Sequence, residues 1–289
     1  MRSLVEPVER GGRYVFQWAS TLFEVDPTLA GRVTRLEFEG DAILTGAEIN
    51  QDNWGSTYWT SPQADWGWPP PAGIDTDPYA VQVVESTLKL KSAVTNVGST
   101  DVTVEKHFGI DPAADAIDIR YVVNNVGTRA ARLASWEITR VFPKGLTFYP
   151  TGATTSVVQG DFPYSEQGGV TWFDEASASY NDHIKLVGDG HDGWLAHVTA
   201  GRVLLLKRFD DVPATEQAAG EGEIEIYANP ERTYVEVENQ GRYVDVPAGG
   251  SLDYALRWYL RRVPDGIDVA VGNPELVAHV VNLGCATER

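Results

Sequence analysis

Two consecutive stretches decide the fold: Val102-Thr-Val-Glu-Lys-His-Phe-Gly-Ile110 and Ala116-Ile-Asp-Ile-Arg-Tyr-Val-Val123. Apolar and polar side chains alternate in both, which is the pattern of a β-strand with one face buried. Only residues 111–115 separate the two stretches, too few for the helix that a parallel connection requires. The pair therefore predicts neighbouring antiparallel strands.

The same alternation returns along the rest of the chain, with no regular helix between strands. It marks the stretches 202–209, 223–227, 233–238 and 252–260. Residues 274–283 instead repeat at helical spacing, with an apolar stripe that ends before Gly284: Leu276, Val277, Val280 and Val281. We predict an all-β chain, a large twisted antiparallel β-sandwich with one short C-terminal helix. No linker or shift of composition divides it, so residues 1–289 are expected to form a single domain.

The charge balance excludes several kinds of partner. The chain has 41 acidic and 23 basic residues, a formal net charge of −18, which repels nucleic acids and anionic membranes. No apolar run is long enough to cross a bilayer, and residues 1–6 lack the apolar core of a signal peptide. A single cysteine, Cys285, rules out an intrachain disulfide. We expect a soluble protein and favour a cytoplasmic location.

The stretch 50–71, Asn50-Gln-Asp-Asn-Trp-Gly-Ser-Thr-Tyr-Trp-Thr-Ser-Pro-Gln-Ala-Asp-Trp-Gly-Trp-Pro-Pro-Pro71, is the most informative for function. It holds four of the nine tryptophans, interleaved with amides and hydroxyls: Trp54, Trp59, Trp66 and Trp68, with Gln63 among the polar residues. Sugars present apolar C–H faces ringed by hydroxyls, so aromatic rings beside short polar side chains suit them. The alternative is that these tryptophans cap an open end of the sandwich.

This stretch resembles the signature of a branch of the galactose mutarotase-like superfamily. The openings Gly11-Gly-Arg-Tyr14 and Arg32-Val-Thr-Arg-Leu-Glu-Phe-Glu-Gly-Asp-Ala-Ile-Leu44 resemble the first strands of that superfamily. The resemblance implies that this chain has the large β-sandwich of that superfamily, called the supersandwich. It also implies that the ligand lies in the concave face of one sheet. Strands near 132–141, 183–186 and 233–238 are then expected to line that face, with the 50–71 loop as a wall.

A second candidate segment is Tyr234-Val-Glu-Val-Glu-Asn-Gln240. Alternation places Tyr234, Glu236 and Glu238 on the face opposite Val235 and Val237. Mutarotases carry their general base as a Glu on a late strand, followed closely by Gln, so the resemblance makes Glu238 the candidate base. The plainer alternative is a solvated strand face charged for solubility.

The sequence offers two candidate proton donors. In Ser135-Trp-Glu-Ile-Thr-Arg-Val141, Glu137 takes the position where mutarotases carry a catalytic His, so the resemblance implies Glu137 as the acid. Alternatively, Glu137 pairs with Arg140 or Arg132. His183, in a polar neighbourhood, is the other candidate acid.

Three basic residues are candidate sugar ligands: Arg13, Arg140 and Lys185. The sequence shows no metal-binding motif and no phosphate-binding loop, so we predict no metal and no cofactor. The predicted partner is a mono- or oligosaccharide. The leading hypothesis is a carbohydrate-binding protein with possible aldose 1-epimerase activity through carboxylate acid/base chemistry. The alternatives are a non-catalytic glycan-binding module and a glycoside hydrolase or lyase.

Overall fold

A computed structural model describes residues 4–285. Two large antiparallel sheets contain all the named strands of the described residues, with 12 strands in the first sheet and 11 in the second. The sheets pack face to face, and the only long helix among the described residues lies at the C-terminal end. The predicted all-β sandwich with a C-terminal helix is therefore confirmed.

The strands in chain order are β1 Val8–Arg10, β2 Arg13–Trp18, β3 Thr21–Asp26, β4 Arg32–Phe38, β5 Asp41–Ala42, β6 Ser56–Ser61, β7 Ala80–Val84, β8 Thr87–Lys91, β9 Thr95–Asn96, β10 Asp101–Asp111, β11 Ala116–Asn125, β12 Ala131–Val141, β13 Leu146–Pro150, β14 Val157–Gln159, β15 Ser165–Gln167, β16 Val170–Asp174, β17 Ile184–Gly188, β18 Trp194–Val198, β19 Val203–Phe209, β20 Ile224–Ala228, β21 Val235–Gln240, β22 Val244–Val246 and β23 Ser251–Arg262. The α-helices are α1 Ala72–Asp75 and α2 Pro274–Cys285, and single 3₁₀ turns occupy Gln63–Asp65 and Ala214–Glu216.

The first sheet has the strand order β1-β2-β3-β4-β6-β12-β21-β20-β17-β14. The second has the order β15-β16-β13-β18-β19-β23-β11-β10-β8-β7. The two deciding stretches form β10 and β11, which pair antiparallel over ten residues each. Three strands expected to line one face, β12, β17 and β21, all belong to the first sheet.

The apolar core lies between the sheets. Tyr58 of the first sheet stacks on Tyr121 of the second with ring centroids 4.3 Å apart. Phe23 and Trp258 meet edge to face at 6.2 Å in the same layer. Side chains that alternate with Tyr58 along β6 must therefore point away from the second sheet. That outer face of the first sheet carries the site described below.

Helix α2 covers part of the outer face of the second sheet. Leu276 and Val280 are fully buried there, and Val277 packs beside them, as the predicted stripe requires. Val281, placed on the same stripe, is instead exposed, because it lies at the edge of the helix face in contact with the sheet. The helix also continues through Gly284 to Cys285 rather than ending before the glycine. No helix among residues 4–285 has the length and apolar character needed to span a bilayer.

The stretch 50–71 is not a loop throughout, because its middle forms β6, a central strand of the first sheet. Gly55 precedes this strand in the left-handed region at φ +63°, and a Cβ there would lie 2.4 Å from the carbonyl oxygen of Val33. Only glycine fits this approach without strain. It fixes where β6 begins, and thus where its tryptophan sits.

Candidate functional site

A cavity of about 330 Å³ opens on the outer face of the first sheet, and we call it the central cavity. It lies over β12, β17, β20 and β21, with the 50–71 segment along one side. Its lining residues are Asn53, Trp59, Gln63, Trp68, Trp136, Gln159, His183, Ile184, Lys185, Tyr227, Tyr234 and Glu236. Aromatic rings supply most of the walls, and amide, ammonium and carboxylate groups converge on the space they enclose.

Strand β12 contributes to this cavity by strict alternation. Trp136 lines it, and Arg140, four residues on, lies on the same face beneath the cavity wall. Glu137 points the other way, between the sheets, where Lys207 of the second sheet holds it at 3.3 Å. Ser56 and Thr139 donate further hydrogen bonds to the Glu137 carboxylate.

The sequence prediction that Glu137 acts as the acid therefore disagrees with its position. Its side chain is fully buried in the interior, and its ion partner is Lys207, not Arg140 or Arg132. Residues 137 and 140 differ by an odd number, so a straight strand places them on opposite faces. We assign Glu137 no part in the site.

Arg140 and Glu236 form an ion pair on neighbouring strands. Arg140 Nε donates to Glu236 Oε1 at 2.7 Å, and its Nη1 donates to the Thr57 hydroxyl at 2.6 Å. The guanidinium also lies 5.2 Å from the centre of the Trp59 ring. Arg140 is fully buried, whereas Glu236 reaches the cavity. Arg140 thus neutralises and orients the one carboxylate among the described lining residues.

Glu238 lies beneath the cavity and is 1% exposed. Trp136 Nε1 donates to its Oε2 at 2.7 Å, while its Oε1 has no hydrogen-bond partner among the described residues. Burial raises the pKa of Glu238 to about 7, although Lys185, Arg140 and the bond from Trp136 act against the rise. Burial therefore favours the neutral form of this carboxyl group.

Lys185 connects the buried carboxyl groups to the cavity that it lines. Its ammonium forms an ion pair with Glu225, lies 3.9 Å from Glu238 Oε2 and sits 5.1 Å above the Trp136 ring. Burial alone would lower the pKa of Lys185, but Glu238 and Glu225 raise it on balance.

Two indole N–H groups anchor the tryptophan segment, one within β6 and one after it. Trp59 Nε1 donates to Asp75 at 2.8 Å, and Trp66 Nε1 donates to the carbonyl of Thr60 at 2.9 Å. Trp68 packs edge to face on Trp59 at 5.9 Å but is itself 59% exposed. Trp59 is therefore a fixed wall, whereas Trp68 presents an uncovered ring.

The opposite wall consists of rings from β20 and the residue before β17. His183 stacks on Tyr227 with centroids 5.8 Å apart, and its Nδ1 shares a hydrogen bond with the Tyr227 hydroxyl. Tyr234 lies next to Tyr227 at 6.1 Å. Across the cavity from Trp59 and Trp68, these rings complete an aromatic enclosure.

The structure brings together seven of the predicted site residues in the central cavity: Trp59, Gln63, Trp68, His183, Lys185, Tyr234 and Glu236. Arg140 and Glu238 lie just beneath it, and Trp66 packs behind Trp59 and Trp136. Trp54 and Arg13 line two adjoining cavities instead.

Sequence reasoning missed Trp136, Tyr227 and Gln159 as lining residues. A signal existed for Trp136, because alternation along β12 places it on the same face as Arg140. Tyr227 lies opposite Glu236 in the β20–β21 pair, so its place in the cavity follows from the pairing of these two strands. Gln159 lies on the edge strand β14, and nothing local in the sequence places that strand beside β17.

Among residues 4–285, no three His, Cys, Asp or Glu side chains are grouped to hold an ion.

Comparisons with known proteins identify the fold. No protein-family model matches the sequence, and no curated protein matches it. This chain is similar to the structure of a galactose mutarotase-like protein from Clostridium acetobutylicum, with a TM-score of 0.61 over 90% of this chain and 98% of that chain at 9% identity. It is also similar to the structure of a galactose mutarotase related enzyme from Lactobacillus acidophilus, with a TM-score of 0.61 over 90% of this chain and 100% of that chain at 9% identity. A third similar structure is that of a protein from Synechocystis sp. PCC 6803, with a TM-score of 0.60 over 91% of this chain and 100% of that chain at 13% identity.

Proposed function

We propose that this chain, which has the galactose mutarotase-like fold, binds an uncharged saccharide in its central cavity. The observation that carries the proposal is the set of three indole rings around one polar floor: Trp59, Trp68 and Trp136. Apolar ring faces suit the C–H faces of a pyranose, and cavities of a few hundred cubic ångströms suit small ligands. The volume of about 330 Å³ lies in that range.

The polar groups of the cavity are suited to hydroxyl groups. Gln63 and Asn53 offer both donors and acceptors, Lys185 donates, and Glu236 accepts. The charges are balanced locally, because Arg140 pairs with Glu236 and Lys185 pairs with Glu225. A neutral ligand rich in hydroxyls matches this balance better than a phosphate or a carboxylate does.

Calorimetric titration with glucose, galactose, mannose and N-acetylglucosamine tests the proposal. We expect at least one to bind, and Trp136→Ala to weaken that binding by about 1–3 kcal/mol, the usual effect of removing a buried aromatic contact. Trp194, buried under the second sheet, provides the control, because Trp194→Phe alters an indole remote from the cavity. If no saccharide binds the folded protein, the proposal fails.

A second candidate, aldose 1-epimerase activity, is favoured by Glu238. Its raised pKa and its Oε1 without a hydrogen-bond partner are properties of a general base. Mutarotation also needs a group that protonates the ring oxygen, and His183 in the cavity wall would supply it. Glu238 would take the proton of the anomeric hydroxyl, the ring would open, and closure would reverse both transfers.

Binding without catalysis remains the leading proposal, because Glu238 lies under the wall rather than in it. Glu236, the carboxylate that does line the cavity, is held by Arg140. A glycoside hydrolase needs two carboxyl groups across an open cleft, and Glu236 alone among the described lining residues provides one.

Saturation-transfer NMR of anomeric exchange separates binding from epimerisation. If the wild type accelerates exchange of a sugar that it binds, Glu238→Gln should lower that rate by about 10²–10⁴ while binding changes far less. No acceleration for any bound aldose would exclude the epimerase candidate and leave the binding proposal intact.

A further inference from the structure

We infer that the saccharide site continues into a groove across the first sheet, so that the ligand is an oligosaccharide of at least three units. The inference rests on the proposed function, since it concerns what lies beside the same cavity. Two further cavities adjoin the central one in series, and consecutive cavities share lining residues.

The first of these, the side cavity, has a volume of about 570 Å³. It shares Asn53, Trp59 and Trp68 with the central cavity, so the two lie on either side of the same rings. Trp68 is exposed and therefore offers a ring to a ligand that passes from one cavity to the other. A single sugar in the central cavity would leave this space empty.

The side cavity repeats the chemistry of the central one. Trp54 forms one wall, with the Arg32 guanidinium 4.9 Å from its ring centre. Arg32 is 4% exposed and donates to the Asp52 carbonyl at 3.1 Å. Asp75, which accepts the Trp59 N–H at 2.8 Å, lies beside Arg32 at 3.4 Å. Aromatic rings again accompany an ion pair, and Asp52 adds a further carboxylate, so the side cavity offers acceptors for the hydroxyl groups of a second sugar unit.

The third space, the rim cavity, has a volume of about 370 Å³ and shares Ala47 and Trp54 with the side cavity. Arg13 lines it and is held by Glu24 at 3.2 Å and Asp26 at 3.1 Å. The sequence predicts Arg13 as a sugar ligand, but Arg13 does not line the central cavity. A ligand long enough to reach the rim cavity would contact it there.

The strand order gives the direction and length of the groove. Lys185 of the central cavity lies on β17, and Arg13 of the rim cavity lies on β2. Seven inter-strand spacings separate these strands in the first sheet, a span of about 34 Å at roughly 4.8 Å per spacing. The groove therefore runs across the strands and is much longer than one sugar ring.

A length series tests the inference. Calorimetry would compare glucose, mannose and N-acetylglucosamine with their linear oligomers of two, three and four units. In the series whose monomer binds, we expect the trimer to bind at least about tenfold more tightly, a gain equal to about 1.4 kcal/mol. Equal affinities of monomer and trimer in every series would overturn the inference and leave the proposed function standing.

A variant that fills the side cavity locates the gain. Ala72 is exposed, begins α1 and lines the side cavity but not the central one. Ala72→Phe should abolish most of the gain from monomer to trimer while the monomer affinity stays within about twofold. Ala113→Phe, at an exposed alanine that lines neither cavity, is the matched control.

Ala113→Phe should retain the full gain from monomer to trimer. If folded Ala72→Phe retains it as well, the ligand does not pass through the side cavity and the inference is wrong. If no saccharide of any length binds, the proposed function fails first, and that result is distinct from equal affinities across a series.

Discussion

The indole nitrogen of Trp136 lies 2.7 Å from Oε2 of Glu238, and this bond joins a wall of the central cavity to the carboxyl group beneath it. A donor bond to a carboxylate favours the charged form. The same ring also carries the Lys185 ammonium at 5.1 Å. Any ligand that packs on Trp136 therefore contacts the residue that donates a hydrogen bond to Glu238.

The first prediction removes this donor. Trp136→Phe keeps an aromatic ring but loses the N–H, so the pKa of Glu238 should rise above its value of about 7. Carbon-13 NMR of the labelled glutamate carboxyl groups measures the titration. Trp59→Phe is the control, because it removes an N–H that donates to Asp75 instead. A lower pKa in Trp136→Phe than in the wild type would contradict the assignment.

The second prediction concerns stability against pH. Between the usual glutamate pKa of about 4.3 and the folded value of about 7, the folded chain keeps a proton on Glu238 that the unfolded chain has lost. This stabilising contribution is present at low pH and decreases as pH rises, by up to about 1.4 kcal/mol per pH unit. Glu238→Gln should remove it.

Urea unfolding of the wild type and of Glu238→Gln at pH 5 and pH 8 provides the measurement. The free energy of unfolding should fall less steeply with pH in the variant. Glu9→Gln, on an exposed strand, controls for the loss of one acidic side chain. Identical pH slopes in Glu238→Gln and the wild type would show that Glu238 does not titrate with a raised pKa.

The third prediction treats Glu137 as structural. Lys207→Met leaves the buried Glu137 carboxylate without its cation, which typically costs about 3–5 kcal/mol. Adding Glu137→Gln to the same chain should restore part of that loss, because the remaining group is neutral. Denaturant unfolding measures both effects.

Sugar binding, measured well below the unfolding transition, should stay at the wild-type level in the Glu137→Gln, Lys207→Met double variant. Loss of binding at normal stability would place Glu137 in the site after all.

The fourth prediction is that residues 1–289 unfold as one domain. The core lies between the two sheets, and contacts such as the Tyr58–Tyr121 stack join them. Thermal unfolding followed by circular dichroism and by tryptophan fluorescence should give coincident single transitions. Two separate transitions would reveal a boundary that the sequence does not show.

Local patterns predict the sheets well, because the period of two is a property of neighbouring residues. It places β10, β11, β19, β20, β21 and β23 within a few residues of their observed bounds. The expectation for Glu137 came from a resemblance to a family position, and that resemblance took precedence over the period of two. Alternation along β12 puts Trp136 and Arg140 on one face and Glu137 on the other, so the three residues could not share one site face.

The cavities depend on contacts that no local pattern contains. Arg32 and Asp75 are 43 residues apart, and Lys185 meets Glu225 and Glu238 only because β17, β20 and β21 are adjacent. Residue types in the 50–71 stretch indicate a sugar site, but the separation of Trp54 from the central cavity follows from where β6 crosses the sheet.

The last prediction separates two tryptophans that the sequence treats alike. Trp68 is 59% exposed, and no hydrogen bond from its ring nitrogen holds it among the described contacts, so Trp68→Ala should leave the unfolding free energy within about 0.5 kcal/mol of the wild type. Because its ring lines both the central and the side cavity, the same change should weaken saccharide binding by about 1–3 kcal/mol.

Trp66 should behave in the opposite way. It packs on Trp59 at 5.8 Å and Trp136 at 6.5 Å and donates to the Thr60 carbonyl, but it lines neither cavity. Trp66→Ala should therefore lower the free energy of unfolding by up to about 5 kcal/mol, the upper end of the range for deleting a large aromatic side chain from a core. Binding should weaken only as far as Trp59 and Trp136 lose their support. Paired unfolding and calorimetric measurements on the two variants decide the matter: if Trp68→Ala destabilises the fold and binds normally, the stretch 50–71 is a cap and not a binding wall.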